Sequence, residues 1–138
     1  MEYTHQKLVD IAHQWVIKNT SCGFAIKELK TLEREQPDVL GFGSGQHSVL
    51  IEVKISRSDF LADRKKSFRN NPSIGMGTQR FYCCPNGLIN KEELPVGWGL
   101  LYVNEKGKIK IVHKSYKGNI GERCNGFEKN KSAEASIM

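Results

Sequence analysis

The predicted fold of this chain depends on one apolar stretch, Val49-Leu50-Ile51-Glu52-Val53-Lys54-Ile55. Side chains alternate between the two faces of a β-strand, so the branched aliphatic residues of this stretch share one face and can be buried together. Glu52 and Lys54 then share the opposite face with Leu50. A strand over residues 48–55 is therefore predicted to present a carboxylate and an ammonium two positions apart on one face.

A second carboxylate lies upstream, in the dipeptide Pro37-Asp38. Residues 39–42 read as a short strand, and the glycines that follow predict a turn into the strand over 48–55. An antiparallel hairpin of this kind brings Asp38 close to Glu52. Two carboxylates form a hard oxygen site suited to magnesium, and a nearby lysine can orient a water or steady a phosphate. This combination is typical of metal-assisted phosphodiester hydrolysis.

The Glu-x-Lys pattern is a weak signal by itself, because charged and apolar residues alternate on the solvent-facing side of many strands. The secondary-structure elements predicted around this strand are therefore needed to interpret the pattern. Apolar residues repeat with helical spacing near the N-terminus, and the segment over residues 28–36 favours either a continued strand or a helix. The predicted elements are a helix over 4–18, a first strand within 22–32, a helix over about 58–69, a strand over 78–84 and a hairpin over 100–112.

Length and composition limit the classes of protein that fit. A chain of 138 residues suits one domain. No apolar run approaches the roughly 20 residues of a membrane span, so no membrane partner is expected. The N-terminus lacks a basic region followed by an apolar one, which predicts a cytoplasmic location. Apolar periodicity ends after His113, so residues 1–114 are predicted to form the domain and residues 115–138 a mobile tail.

The charge balance favours a polyanionic partner. Lysine and arginine number 21 against 15 acidic residues, giving a net charge of +6. A basic cluster follows the Glu-x-Lys strand directly, in residues 57–69. The four cysteines match no zinc-ligand spacing and are predicted to be reduced packing residues.

The order of helix, two strands, Glu-x-Lys strand, helix and strand resembles the PD-(D/E)XK nuclease superfamily, with the motif standing as Pro37-Asp38 and Glu52-Val53-Lys54. A closer resemblance is to the MmcB-related DNA repair proteins and similar bacterial and phage proteins. It rests on a stretch matching their Ser-Arg-x-Asp-Phe-x-x-Asp-Arg-Lys signature, and on an aromatic strand followed by a Gly-Trp-Gly-Leu segment. The signature stretch is Ser56-Arg57-Ser58-Asp59-Phe60-Leu61-Ala62-Asp63-Arg64-Lys65.

The resemblance implies an α/β, restriction-endonuclease-like fold: a mixed central sheet flanked by helices, with an α-β-β-β-α-β core and an additional C-terminal β-hairpin. It also implies a magnesium- or manganese-dependent deoxyribonuclease acting in DNA repair or phage DNA metabolism. Asp38 and Glu52 would bind the metal with the carbonyl of Val53, and Lys54 would position or deprotonate the attacking water. Many members pair as homodimers to cut both strands, so a homodimer is a candidate assembly for this chain.

Other residues of the signature receive roles from physical reasoning. Ser56 is expected to cap the second helix, Arg57 to contact a phosphate, and Asp59 to support the metal ligands from behind. For Asp59, simple complementarity to the helix dipole is an equal alternative. Lys65 and Arg69 are expected to line the DNA groove, the alternative being an ordinary solvated helix face.

Three readings of function stay open at this point. A DNA nuclease is the first, and a nucleic-acid-binding module that does not cut is the second, because a fold does not fix an activity. The third is an interaction protein unrelated to nucleic acid.

Many superfamily members place an acidic residue on the first helix, where this chain offers only Glu2 and Asp10. His5, on the same helix, is predicted to be a surface or packing histidine. Trp98, between two glycines, is predicted to be buried, with a base-stacking platform as the alternative.

Overall fold

A computed structural model of the chain describes residues 2–27, 37–43, 47–65 and 77–114, together with Glu134. These residues form two α-helices, six β-strands and one turn of 3₁₀-helix. In chain order the elements are α1 (His5–Asn19), β1 (Phe24–Lys27), β2 (Val39–Phe42), β3 (Ser48–Val53), α2 (Arg57–Asp63), β4 (Gln79–Pro85), the 3₁₀ turn (Lys91–Glu93), β5 (Gly99–Val103) and β6 (Ile109–His113).

The six strands form one mixed sheet in which neighbours in sequence are neighbours in space. Strands β3, β4 and β5 run parallel to each other, and the other pairs are antiparallel. The predicted pairing of β2 with β3 is confirmed, with Val39 opposite Ile51 and Leu40 opposite Leu50. The parallel pairing of β3 and β4 across α2 is also confirmed. The chain is thus an α/β protein with a six-stranded mixed sheet.

The sheet is buried on both faces, and the alternation along β3 decides which side chain enters which core. Val49, Ile51 and Val53 pack in the cluster that contains the buried face of α1. Leu50 packs on the other side with Phe60 of α2 and with residues of β4 and β5. Strand β3 ends at Val53 rather than at the predicted residue 55, although the Lys54 N–H still donates to the carbonyl of Cys83 at 2.9 Å.

Helix α1 agrees with its prediction to within one residue at each end. The Thr4 hydroxyl accepts a hydrogen bond from the N–H of Lys7 and caps the helix. This bond satisfies one of the first backbone N–H groups, which have no partner within the helix. The helix approaches β2 closely at Gly41. A Cβ at this glycine would lie 2.6 Å from Cγ1 of Val16, so a larger residue would push α1 off the sheet.

Two further sequence predictions concern the four cysteines and membrane spans. Cys22, Cys83 and Cys84 are buried free thiols, as expected of packing residues. Burial raises the pKa of Cys84 to about 11, so this thiol stays protonated at neutral pH. Cys124 lies outside the described residues. None of the helices in the described ranges is long and apolar enough to cross a membrane.

Most of the predicted tail, residues 115–138, lies outside the described residues, and so do residues 28–36. The one described residue of the tail, Glu134, is 3% exposed. Its carboxylate accepts from the Ser48 hydroxyl at 2.8 Å and from the Gly77 N–H at 2.7 Å. At this residue the C-terminal segment therefore contacts the start of β3 and the segment that leads into β4.

Candidate active site

The candidate site lies at the carboxyl end of β3, on the face of the sheet that α2 covers. Glu52 is paired in register with Tyr82 of β4, and only 6% of its side chain is exposed. Lys54 follows at the point where β3 has ended, and its side chain is 13% exposed. The parallel strand β4 and helix α2 therefore enclose a carboxylate and an ammonium that most strands would leave in water.

Lys54 lies between two carboxylates. Its Nζ atom is 4.0 Å from Oε2 of Glu52 and 3.5 Å from Oδ1 of Asp63. The prediction that Glu52 and Lys54 share one face of the sheet is confirmed by the first distance. The second distance adds an acidic partner that the sequence reasoning did not assign to the site.

Asp63 is the last residue of α2 and is 1% exposed. Its Oδ2 atom accepts a hydrogen bond from the Tyr82 hydroxyl. The residue stands in the quoted signature, but no role was predicted for it. A usable signal was present, because Asp63 follows the apolar Phe60 by three residues and so falls on the buried side of the helix.

Asp38 occupies the position before β2, next to the end of β3. Its Oδ2 atom accepts from the Val53 N–H at 2.8 Å and lies 3.4 Å from Nε2 of His5. The Val53 side chain packs in the α1-side core, whereas Lys54 reaches Asp63 of α2. The two carboxylates of the motif thus flank the end of β3, with Asp38 held by the backbone and by α1.

Helix α1 contributes a histidine to this region rather than a carboxylate. His5 lies at the surface as predicted, with its side chain 44% exposed, and its Nε2 atom also contacts Asp38. Asp10 points elsewhere, because its Oδ1 atom lies 2.7 Å from Nζ of Lys27 and accepts from the side chain of Gln6. An acidic contribution from Asp10 is therefore ruled out in this arrangement.

The oxygen donors for a cation are the carboxylates of Asp38 and Glu52 and the carbonyl of Val53. Across the described ranges, no group of three histidine, cysteine, aspartate or glutamate side chains is arranged to hold a metal ion. Any metal would therefore depend on two carboxylates with the carbonyl oxygen and water, a coordination that suits magnesium, which keeps several waters.

The start of α2 has the predicted cap. The Ser56 hydroxyl accepts from the Asp59 N–H at 3.3 Å, and Asp59 is exposed in the first turn. An exposed acid at this position complements the positive end of the helix, which is the simpler of the two predicted roles for Asp59.

Arg57 is engaged within the protein. Its guanidinium forms a two-pronged pair with the carboxylate of Glu93, at 3.0 Å and 2.5 Å, and also donates to the carbonyl of Leu88 at 2.9 Å. The Arg64 guanidinium donates to the Glu93 carbonyl at 3.2 Å. Both arginines therefore tie the segment between β4 and β5 to α2, and a phosphate at Arg57 would have to compete with Glu93.

Of the other predicted nucleic-acid contacts, Lys65 lies just after the C-terminal end of α2. Lys65 is exposed in the turn after the helix and lines a surface pocket with Arg64, Glu93, Leu94 and Pro95. The helix itself ends at Asp63, earlier than predicted. Arg69 lies outside the described residues.

The Arg57–Glu93 pair predicts a specific pH dependence of stability. Hydrogen bonding to Arg57 lowers the pKa of Glu93 from 4.5 to about 2. A carboxylate with a lowered folded pKa contributes its stabilisation in full above its unfolded pKa and loses it as the pH falls toward the folded value. The pair should therefore stabilise the fold above about pH 4.5 and progressively less down to about pH 2.

Thermal melts across that range are expected to show a shallower pH dependence in Glu93→Gln than in the wild type. The matched control is Glu92→Gln, which changes the neighbouring exposed carboxylate on the same turn and should keep the wild-type slope. Because the pair is exposed, the expected difference is modest. Parallel curves for all three proteins would contradict a stabilising role for the pair.

Comparison with known proteins adds a fold relationship. No protein-family profile matches this chain, and no curated protein matches it. The fold is shared with the SPO1766 protein of unknown function from Silicibacter pomeroyi, at a TM-score of 0.61 and 22% sequence identity. The match covers 86% of this chain and 75% of that one. At this identity the likeness concerns the fold alone.

Proposed function

We propose that this protein is a metal-dependent DNA nuclease with a restriction-endonuclease-like core, to which β5 and β6 are an addition. The observation that supports the proposal is the position of Lys54. Its ammonium lies 4.0 Å from Glu52 at the enclosed end of β3, and Asp38 flanks the same strand end. A lysine beside a carboxylate pair is the arrangement that phosphodiester hydrolysis requires in the PD-(D/E)XK pattern.

Each residue of the site has a separate task in this proposal. Asp38, Glu52 and the Val53 carbonyl would hold Mg²⁺ or Mn²⁺. When bound, the ion would neutralise charge on the phosphate and activate water. Lys54 would orient the attacking water through its ammonium or, in its neutral amine form, take a proton from that water. The hydrogen bond from the Val53 N–H fixes the Asp38 carboxylate at the end of β3, which orients it as a metal ligand would need.

The surface around the site suits a polyanion. The net charge of +6 would draw DNA toward the protein, and Lys65 is exposed beside α2. Arg57 acts in this proposal by holding the segment before β5 rather than by contacting phosphate, because its guanidinium already binds Glu93.

A cleavage assay tests the proposal. Duplex, single-stranded and branched DNA are incubated with the protein and either Mg²⁺ or Mn²⁺, with EDTA as the blank. Cleavage that depends on the metal and on Lys54 is expected. Intact substrates in every combination would exclude the nuclease.

Metal binding is expected to depend on Glu52. Isothermal titration calorimetry with Mn²⁺ should show binding to the wild type and a loss of at least about tenfold in affinity in Glu52→Ala, because a site with two carboxylates would keep only one. Asp10→Ala is the matched control, since it removes an exposed carboxylate that pairs with Lys27. Equal affinities in the wild type and Glu52→Ala would remove the metal assignment.

A nucleic-acid-binding module that does not cut is the second candidate. The observation that favours it is that, within the described ranges, no group of three histidine, cysteine, aspartate or glutamate side chains is arranged to hold a metal ion. This candidate predicts DNA binding without cleavage. Its affinity should fall with salt at a slope of about −0.9 per phosphate contact on duplex DNA. Absence of salt-dependent binding would instead favour an interaction protein unrelated to nucleic acid.

A further inference from the structure

The Lys54 ammonium is held by a buried network that extends beyond the Glu-x-Lys motif. Asp63 receives the Tyr82 hydroxyl on one carboxylate oxygen and faces Lys54 with the other. The Tyr82 ring is itself fixed between Phe60, edge-on at 5.0 Å, and Trp98, stacked at 4.6 Å. Each member of the network is thus held in place by the next.

The distances indicate what Asp63 does for Lys54. The ammonium lies closer to Asp63, at 3.5 Å, than to Glu52, at 4.0 Å. A charged N–H···O bond is normally about 2.7–2.9 Å long, so the ammonium has closed onto neither carboxylate and is shared between the two. Attraction between opposite charges is strong where water is excluded. An unopposed Glu52 would therefore draw the ammonium into hydrogen-bonding distance. Asp63 supplies that opposing attraction.

We infer that Asp63 is a positioning residue that holds the Lys54 ammonium away from Glu52. This position keeps the Lys54 ammonium outside hydrogen-bonding distance of Glu52, where it would orient a water molecule. Tyr82 keeps the Asp63 carboxylate oriented, and Asp63 need not touch the substrate itself. The consequence for catalysis rests on the proposed nuclease function, whereas the position of Lys54 can be tested without it.

Crystal structures of the wild type and Asp63→Ala test the position directly. In the variant, the distance from Lys54 Nζ to Glu52 Oε2 is expected to contract from 4.0 Å to about 2.8 Å. An unchanged distance would overturn the inference. Should the single variant fail to fold, the double variant Asp63→Ala/Tyr82→Phe also removes the hydroxyl that would otherwise lose its acceptor.

Steady-state kinetics test the consequence. The kcat of Asp63→Ala should fall by about 10- to 100-fold, because a displacement of about 1 Å in a reacting group has effects of this size. The KM for DNA should stay within about twofold, because a buried residue that does not touch DNA contributes little to binding it. Asp63→Asn keeps a side chain of the same shape and should recover part of kcat. Asp10→Ala, which disrupts the pair between Asp10 of α1 and Lys27 of β1, should match the wild type.

The two measurements separate this inference from the proposed function. A wild type that cuts DNA, combined with an unchanged kcat in Asp63→Ala, overturns the role of Asp63 and leaves the nuclease standing. A wild type that cuts no DNA overturns the nuclease, and the crystallographic distance then decides the positioning of Lys54 alone. A purely structural role for Asp63 would lower the melting temperature without changing kcat in the folded variant.

Discussion

Replacing Lys54 by alanine is expected to lower DNA cleavage by about a hundredfold or more, the range expected when a group that handles a proton in the transition state is removed. Binding of DNA should persist, because the side chain is only 13% exposed and cannot offer much surface to a ligand of that size. Metal binding should also persist, since both proposed carboxylate ligands remain. The measurement is a cleavage time course with Mg²⁺ and with Mn²⁺, beside binding assays on the same preparations.

The alternative role for Lys54 is a counter-charge for buried acids. Its ammonium lies within 4.0 Å of Glu52 and Asp63, so removing it takes a positive charge away from two enclosed carboxylates. Breaking a buried pair in this way can cost about 3–5 kcal/mol, and partial exposure of the lysine reduces that cost. Lys54→Ala is therefore expected to be less stable than the wild type whichever role is correct.

A second variant separates the two roles. Lys54→Ala/Asp63→Asn removes the ammonium together with one of its two acids, so the charge imbalance is smaller. If Lys54 is only a counter-charge, this double variant should recover both stability and cleavage. If Lys54 handles the attacking water, stability should recover while cleavage stays low. Lys106→Ala, which removes an exposed lysine in the turn between β5 and β6, controls for the loss of one positive charge.

The local elements could be predicted from sequence because their signals lie within a few residues. The alternation of residues 49–53 correctly predicted that Val49, Ile51 and Val53 share a buried face of β3, and the helical repeat correctly placed α1. Burial of the opposite face of β3 was not predicted. The pairing of β2 with β3 followed from the short glycine-rich connection between them. The contact of Glu52 with Lys54 followed from the period of two along a strand.

The site could be predicted only where its members lie on one element or on adjacent elements. Asp63 reaches Lys54 because of the way α2 packs on the sheet, and no local pattern specifies that packing. Arg57 and Glu93 are 36 residues apart in sequence, so their pairing depends on where the segment before β5 is placed. An arginine next to a proposed nuclease motif favours a phosphate contact on charge alone, and only the tertiary structure reveals the competing carboxylate.

The parallel pairing of β4 with β5 had no sequence signal of the usual kind. Parallel strands are normally joined by a helix that covers the sheet. Here residues 86–98 make the crossing, with a single 3₁₀ turn among them. Ile89 and Trp98 from this segment supply the apolar cover that a helix would otherwise provide. A short irregular connection can replace the helix because its own side chains fill the second core.

Trp98→Ala is expected to destabilise the protein by about 3–5 kcal/mol, the cost of deleting a large buried aromatic side chain. Trp98 is 1% exposed and stacks on Tyr82 with ring centroids 4.6 Å apart. Its burial agrees with the predicted structural role, since a base-stacking platform needs an exposed ring. Urea unfolding followed by circular dichroism gives the free energy of unfolding for both proteins.

The other tryptophan is the matched control for this prediction. Trp15 is only partly buried against the core on α1, so Trp15→Ala should cost clearly less than Trp98→Ala. The substitution at Trp98 should also disturb the candidate active site. The stacked indole ring supports Tyr82, whose hydroxyl donates a hydrogen bond to Asp63. Trp98→Phe keeps an aromatic ring on Tyr82 and should restore most of the stability and the cleavage activity together. A Trp98→Ala variant that unfolds like the wild type but binds DNA weakly would mean that the indole contacts nucleic acid.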